Sequence, residues 1–186
     1  MISNEELMRA RQQAFELIRA SGFPVHERER EKIEVADFGL GRLGTEGAQI
    51  LTLVASKRIA VKLIALLPHQ TLPEHRHPPV GDDPGKEETI QAFWGGVYIY
   101  VEGTDTLEHG KIPPNQEKVY SSRHEVSLMP GDQYYFAPGR KHWFQAGAEG
   151  AVVLSFSSVA RDDLDDFSDP RIKRATEVGE SHRSTA

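Results

Sequence analysis

Cysteine is absent from the 186-residue chain. That excludes disulfides and thiolate metal ligands, and it fits a reducing compartment, so a cytoplasmic protein is expected. Long apolar runs are also missing. Ile59 to Leu67 is broken by Lys62, and nothing approaches the roughly 20 apolar residues of a membrane span. Positive charge is in deficit: 22 Lys and Arg face 28 Asp and Glu, for a formal net charge of -6. A nucleic-acid or anionic-membrane surface is therefore not expected. No basic segment precedes an apolar one at the N-terminus. Asn4, Glu5 and Glu6 stand there instead, so no secretory signal is expected. No repeat of fixed period is found. What remains is an ordinary globular balance, 38% hydrophobic and 27% charged, over a length suited to one domain. With no cysteine to share metal duties, the eight histidines stand out.

Ser3 and Glu6 have capping-box spacing, and Leu7, Ala10, Ala14, Leu17 and Ile18 recur at helical intervals before Ser21-Gly22. The pattern predicts an amphipathic helix over 4–20, packed outside the domain as cover for a sheet edge. After Gly44 the period changes. Residues 49–56 and 59–67 read as a hairpin around Ser56-Lys57-Arg58. Short strands are expected at 88–94, 97–102, 125–129, 133–136, 142–146 and 151–158, with Gly, Pro, Asn and Asp between them. Such a series implies an all-β sandwich or barrel, here spanning about 34–160. From Arg161 the apolar period is lost. Phe167, Pro170 and Ile172 are candidate anchors for 161–174 across the barrel. The single domain is taken to end at 174, and 175–186 to be a disordered tail.

The informative segment is Glu74-His75-Arg76-His77, with Glu88 after a loop and His142 further on. Residues two apart on a strand face one side, so His75 and His77 can present imidazoles to one ion. Glu88 adds a hard oxygen and His142 a third imidazole. That donor set suits Mn, Fe, Co, Ni or Zn, and it leaves room in an octahedral shell for water or two substrate oxygens. Glu87 neighbours Glu88, but alternation turns only one inward, and Gly95, six residues beyond, selects Glu88. Asp82 and Asp83 belong to an Asp-Pro-Gly turn. His69, His109 and His124 lie in loop-like surroundings and read as solvated. Tyr134, Tyr135 and Phe136 read as core and pocket wall. Trp94 and Trp143 adjoin the site residues as cavity lining or core. Lys86, two residues before Glu88, can point the same way, into the cavity, or stand as a solvated loop lysine. It could bind a substrate hydroxyl or move a proton, with its charge state open.

The frame His75-x-His77, Glu88 with Gly95, Pro130-Gly131-Asp132 and Pro138-Gly139-Arg140-Lys141-His142 resembles the two cupin motifs. It departs in a long insert, Pro78 to Glu87. The implied fold is a cupin (jelly-roll) β-barrel with an N-terminal helix and a partly disordered C-terminal tail. From about Ala36 to Pro170 the chain further resembles the D-lyxose isomerase family. Asp37-Phe38-Gly39, Pro68-His69-Gln70-Thr71, Lys86-x-Glu88 and His142-Trp143-Phe144 carry that resemblance. Arg161-Asp162-Asp163 and Asp169-Pro170 add to it.

The resemblance implies a homodimer that interconverts an aldose and a ketose. The pairs are D-lyxose with D-xylulose and also D-mannose with D-fructose. It implies a metal, Mn(II) first, with Co, Ni, Fe or Zn as alternatives, held by His75, His77, Glu88 and His142. Lys86 falls on a lysine of substrate binding or proton transfer, so Lys86 and Glu88 are the catalytic candidates. Longer members carry a glutamate near the place of Ser155. Lys86 is then the first candidate for proton transfer, with Asp162 or Asp163 available if the tail folds over the mouth. Two other readings use the same donors: an Fe(II) dioxygenase and a sugar-binding cupin without turnover. The polar residues at the mouth disfavour the first, and the lack of a DNA-binding module disfavours a sensor.

Overall fold

A computed structural model describes residues 1–179. It begins with Ile2–Ser3 (β1) and a helix over Asn4–Ala20 (α1). The capping box is formed: Glu6 N–H donates to Ser3 Oγ at 3.1 Å, and Ser3 N–H donates to the Glu6 carboxylate at 2.8 Å. Gly22, at φ 85°, ends the helical run. The helix covers a sheet face, not the edge expected. Ala14, Phe15 and Ile18 pack on Leu51, Leu63 and Val152. The reason is that the central strands are apolar on both sides. Leu51 and Leu63 face the helix, while Ile50 and Ile64 face the interior.

The remaining strands are β2 (Glu34–Ala36), β3 (Ala48–Ala55), β4 (Ile59–Leu66), β5 (Thr71–Arg76), β6 (Glu88–Trp94) and β7 (Val97–Val101). After them come β8 (His124–Leu128), β9 (Gln133–Phe136), β10 (His142–Ala146), β11 (Ala151–Ser158), β12 (Asp166–Phe167) and β13 (Val178–Gly179). They form a six-stranded sheet, β2-β3-β4-β11-β6-β9, and a five-stranded one, β12-β5-β10-β7-β8. The core lies between them, with Ile64, Ile90 and Val153 from one sheet against Ile99, Phe144 and Leu72 from the other. This is the expected cupin jelly roll. Among the described residues no strand pairing joins the two sheets, so the barrel is open.

Along the strands the interior changes character. On β4, β6 and β11 the inward side passes from Ile64, Ile90 and Val153 to Lys62, Glu88 and Ser155. One end of the sandwich is thus apolar core, and the other a cavity where polar side chains stand among apolar walls. Residues 161–174 close that end. Asp162–Leu164 form a 3-10 turn, and β12 pairs with β5, setting Phe167 opposite His75. Phe167 and Ile172 pack on the core, as their apolar character suggested, while Pro170 is exposed. Residues 175–179, assigned above to a disordered tail, reach β1 and pair with it in parallel through β13. The rest of that tail, 180–186, lies outside the described residues. No described helix is long and apolar enough to cross a membrane.

Candidate metal centre and its cavity

Strand β5 carries a bulge. His75 pairs with His142 and Leu72 with Phe144, so Pro73 and Glu74 stand opposite Trp143 alone. The bulge turns both Leu72 and His75 inward and Glu74 outward. His77 lies just past the strand and is held there by Gly139 N–H, which donates to its carbonyl at 2.9 Å. The insert before Lys86 is tightly wound. A Cβ on Gly85 (φ 116°) would come within 2.5 Å of the His77 carbonyl oxygen, so only glycine fits. This close return sets Lys86 and Glu88 beside the histidines despite the ten-residue insert.

His75, His77 and His142 are buried, with one ligand nitrogen from each lying within 4.8 Å of the others. Each ring's Nδ1 meets a backbone carbonyl: Pro73 at 2.9 Å, Lys86 at 3.1 Å and Arg140 at 3.0 Å. A carbonyl only accepts, so Nδ1 carries the proton and Nε2 is left with its lone pair. The Nε2 atoms of His77 and His142 are buried without a hydrogen-bond partner. Burial first, and then the neighbouring positive charges, lower all three rings to about 3. Neutral, oriented imidazoles with converging lone pairs are what a divalent ion requires. This triad could hold one.

Glu88 stands beside the triad, with Oε2 at 3.3 Å from His77 Nε2. Two lone-pair atoms that close, with no proton between them, call for a cation in common. Burial alone would raise the Glu88 carboxyl, but Lys86, His77 and the Ser155 hydroxyl outweigh it and hold it at about 2. Ser155 Oγ donates to Glu88 Oε1 at 2.5 Å. Glu87 is exposed and takes the Tyr135 hydroxyl instead.

Lys86 lies inside, 7% exposed, with Nζ at 3.2 Å from Asp162, 3.6 Å from Asp165 and 3.7 Å from Glu88. Burial would lower it, but the three carboxylates outweigh burial and push it above its ordinary value. The charge state left open by sequence is therefore an ammonium. Asp162 also pairs with Lys62 and lies 3.8 Å from Arg174. Burial works against its ionisation, yet these cations hold it below the usual carboxylate range. Asp165 behaves oppositely. Burial, with the charges of Asp162 and Glu88, raises it to about 7 despite Lys86.

Sequence reasoning named Asp162 or Asp163 and missed Asp165. Asp163 is exposed and does not line the cavity. On a 3-10 turn residues three apart share a face, so the spacing from Asp162 to Asp165 was the available signal. Other placements also differ. Trp143 faces away from the cavity, stacked on Tyr100 at 3.9 Å, with its indole N–H donating to Ser122 O. Trp94 belongs to the cluster under α1. Tyr135 is exposed, while Phe136 stacks on His142 at 3.9 Å. His69 is exposed, His109 pairs with Glu125 on the surface, and His124 begins β8. Asp83 accepts from Gly85 N–H and pairs with Arg161, as a turn residue does.

No protein-family model matches the chain. Among characterised proteins it is 49% identical over 170 residues to the D-lyxose ketol-isomerase of Cohnella laeviribosi, covering 91% of this chain and 93% of that protein. It is 45% identical over 179 residues to the D-lyxose/D-mannose isomerase of Thermosediminibacter oceani, covering 96% and 99%. Among solved structures, L-ribose isomerase of Cellulomonas parahominis superposes with a TM-score of 0.80 at 17% identity, covering 96% of this chain and 98% of that one. The L-ribose isomerase of Acinetobacter sp. DL28 gives 0.79 at 16%, with the same coverage. At such identities these two speak for the fold.

Proposed function

The chain belongs to the D-lyxose ketol-isomerase family and is an aldose–ketose isomerase, and on that premise we propose that it interconverts D-lyxose with D-xylulose. D-Mannose with D-fructose is the second pair. The centre is a divalent metal, Mn(II) first, bound by His75, His77, Glu88 and His142, in a cytoplasmic homodimer. The observation that carries this reading is the cluster of three buried, neutral imidazoles with the Glu88 carboxylate beside it, at the wall of a cavity that His75, Glu88 and the Lys86 ammonium line.

A divalent ion held by these donors supplies Lewis acidity, which polarises a sugar carbonyl and favours negative charge on adjacent oxygens. The protein does the rest. Glu88, with one oxygen on Ser155 and the other beside His77, is a positioned anion and a poor base. Lys86, fixed as an ammonium, donates to a substrate oxygen and stabilises an enediolate. Phe38, Leu72, Phe144 and Phe167 wall the cavity and keep water from those groups.

The test is metal-stripped protein restored with Mn, Co, Ni, Fe or Zn singly and offered D-lyxose and D-mannose. D-Xylulose and D-fructose should appear with at least one ion. No aldose–ketose conversion with any ion overturns the proposal, and oxygen uptake with Fe alone would favour a dioxygenase. A scattering mass of one chain would remove the dimer.

A further inference from the structure

An aldose–ketose exchange by proton transfer needs a group that can take a proton from carbon and give it back. That group must line the cavity and keep an unengaged lone pair. The acidic and imidazole side chains lining the cavity are His75, Glu88, Asp162 and Asp165. Three of them are committed. His75 donates through Nδ1 to Pro73 and turns its other nitrogen into the triad. Glu88 is held by Ser155 and stands against His77. Asp162 meets Lys86 with one oxygen and Lys62 with the other, with Arg174 nearby. Asp165 is different. Its side chain is 8% exposed, and its closest ionic partner, Lys86, is 3.6 Å away. No hydrogen bond reaches its carboxylate among the described residues, and 3.6 Å exceeds hydrogen-bond length.

The backbone fixes this carboxylate in place. Asp165 caps the 3-10 turn Asp162–Leu164, and the next residue begins β12. That strand is hydrogen-bonded to β5, the strand of His75. Lys86 Nζ lies 3.7 Å from Glu88 and 3.6 Å from Asp165. A sugar oxygen bound at Lys86 is therefore within reach of both Glu88 and Asp165.

From this geometry, and resting on the isomerase reading above, we infer that Asp165 is the carboxylate that carries the proton between the two sugar carbons. The carboxylate takes hydrogen from the hydroxyl-bearing carbon beside the carbonyl. The C–H electron pair becomes the carbon–carbon double bond, and the carbonyl pair moves to its oxygen. The neighbouring hydroxyl passes its proton to that oxygen, with the Lys86 ammonium hydrogen-bonded to the pair and keeping its charge. As that second oxygen becomes a carbonyl, the double-bond pair takes the proton back from Asp165 at the former carbonyl carbon. Atoms and charge balance without an added reagent.

The experiment compares the metal-loaded wild type with Asp165→Asn and Asp165→Glu in deuterium oxide. Asp165→Asn should lose about 10²–10⁴-fold in kcat. Deuterium wash-in at the transferred position should fall in proportion. Metal per chain, melting temperature and calorimetric binding of the corresponding alditol should stay at wild-type levels. Asp165→Glu, which restores a carboxylate, should recover part of the exchange. An Asp165→Asn enzyme within tenfold of wild type in kcat and exchange overturns the inference. So does loss of metal and early melting in both variants, because Asp165 would then be structural. A wild type inert on every sugar takes down the isomerase reading itself, an outcome separate from an active wild type with an active Asp165→Asn.

Discussion

Ser155 shows how one residue changes the chemistry available to its neighbours. Its hydroxyl donates to Glu88 Oε1. A second carboxylate at that place would crowd Glu88 and compete for Lys86. The hydroxyl instead fixes one oxygen of Glu88 and leaves the other toward His77, 3.3 Å away. Outer hydrogen bonds of this kind orient a ligating group and raise metal affinity by about 10–100-fold. Ser155→Ala should therefore weaken Mn(II) retention by about that factor, read by competition with a chelator of known affinity, with the melting temperature of the stripped protein nearly unchanged. Equal Mn(II) affinity in the two proteins would show that Glu88 needs no such support.

At the scale of elements, the segment 161–174 covers the open sandwich end above the cavity, and Glu74 is one of the clasps that hold it, through Ser168. Glu74 is 1% exposed on the outward side of the β5 bulge. It accepts from Ser121 N–H and Oγ–H, Ser122 N–H and Ser168 Oγ–H at 2.6–2.9 Å. Burial would raise its carboxyl, but these donors outweigh burial and lower it. Glu74→Gln would turn an amide NH2 toward donors and leave buried groups unpaired, at about 1–3 kcal/mol. The expected result is a melting temperature lower by several degrees, faster amide exchange over 162–168 and a raised KM for sugar. Unchanged exchange over that segment would show that β12 holds without the clasp.

The same clasp explains what was legible in the sequence. Strands 88–94, 133–136, 142–146 and 151–158 fall where alternation and turn residues put them, because each is held by its own pattern against the core. Helix 4–20 was equally plain, through its cap and its apolar stripe. The four metal candidates were readable as spacing. The bulge at Pro73-Glu74 was not, since it is created by pairing with β10. Nor was β12, two residues long, whose stability comes from contacts of Ser168 and Phe167 with distant residues. Asp165 was hidden for that reason: its place in the cavity depends on a strand that no local pattern announces.

For the whole molecule, the site makes stability depend on pH in a direction that can be worked out. In metal-stripped protein the three imidazoles lie at about 3 when folded, against 6.5 for an unperturbed histidine. As pH falls below 6.5 the unfolded chain binds protons that the folded chain refuses, so stability is full above 6.5 and is lost toward 3. Glu88, lowered from 4.5 to about 2, adds a loss of the same sign between those values. Asp165 opposes both. Raised from 3.8 to about 7, it binds its proton more tightly when folded, so it contributes stability as pH falls from 7 to 3.8. The three histidines and Glu88 against Asp165 leave a net loss on acidification, partly offset until 3.8 and steeper below it. Two measurements follow from this opposition. The melting temperature of stripped protein should fall between pH 6.5 and 4, and in Asp165→Asn it should fall more steeply, because the opposing proton uptake is gone. Mn(II), which binds only the deprotonated donors, should raise the wild-type melting temperature at pH 7 and lose that effect as acid protonates the imidazoles. A stripped protein whose stability is flat across pH 6.5 to 4 would mean that the histidines titrate alike in the folded and unfolded chain, and that the cavity is not the dry, preorganised site its buried nitrogens describe.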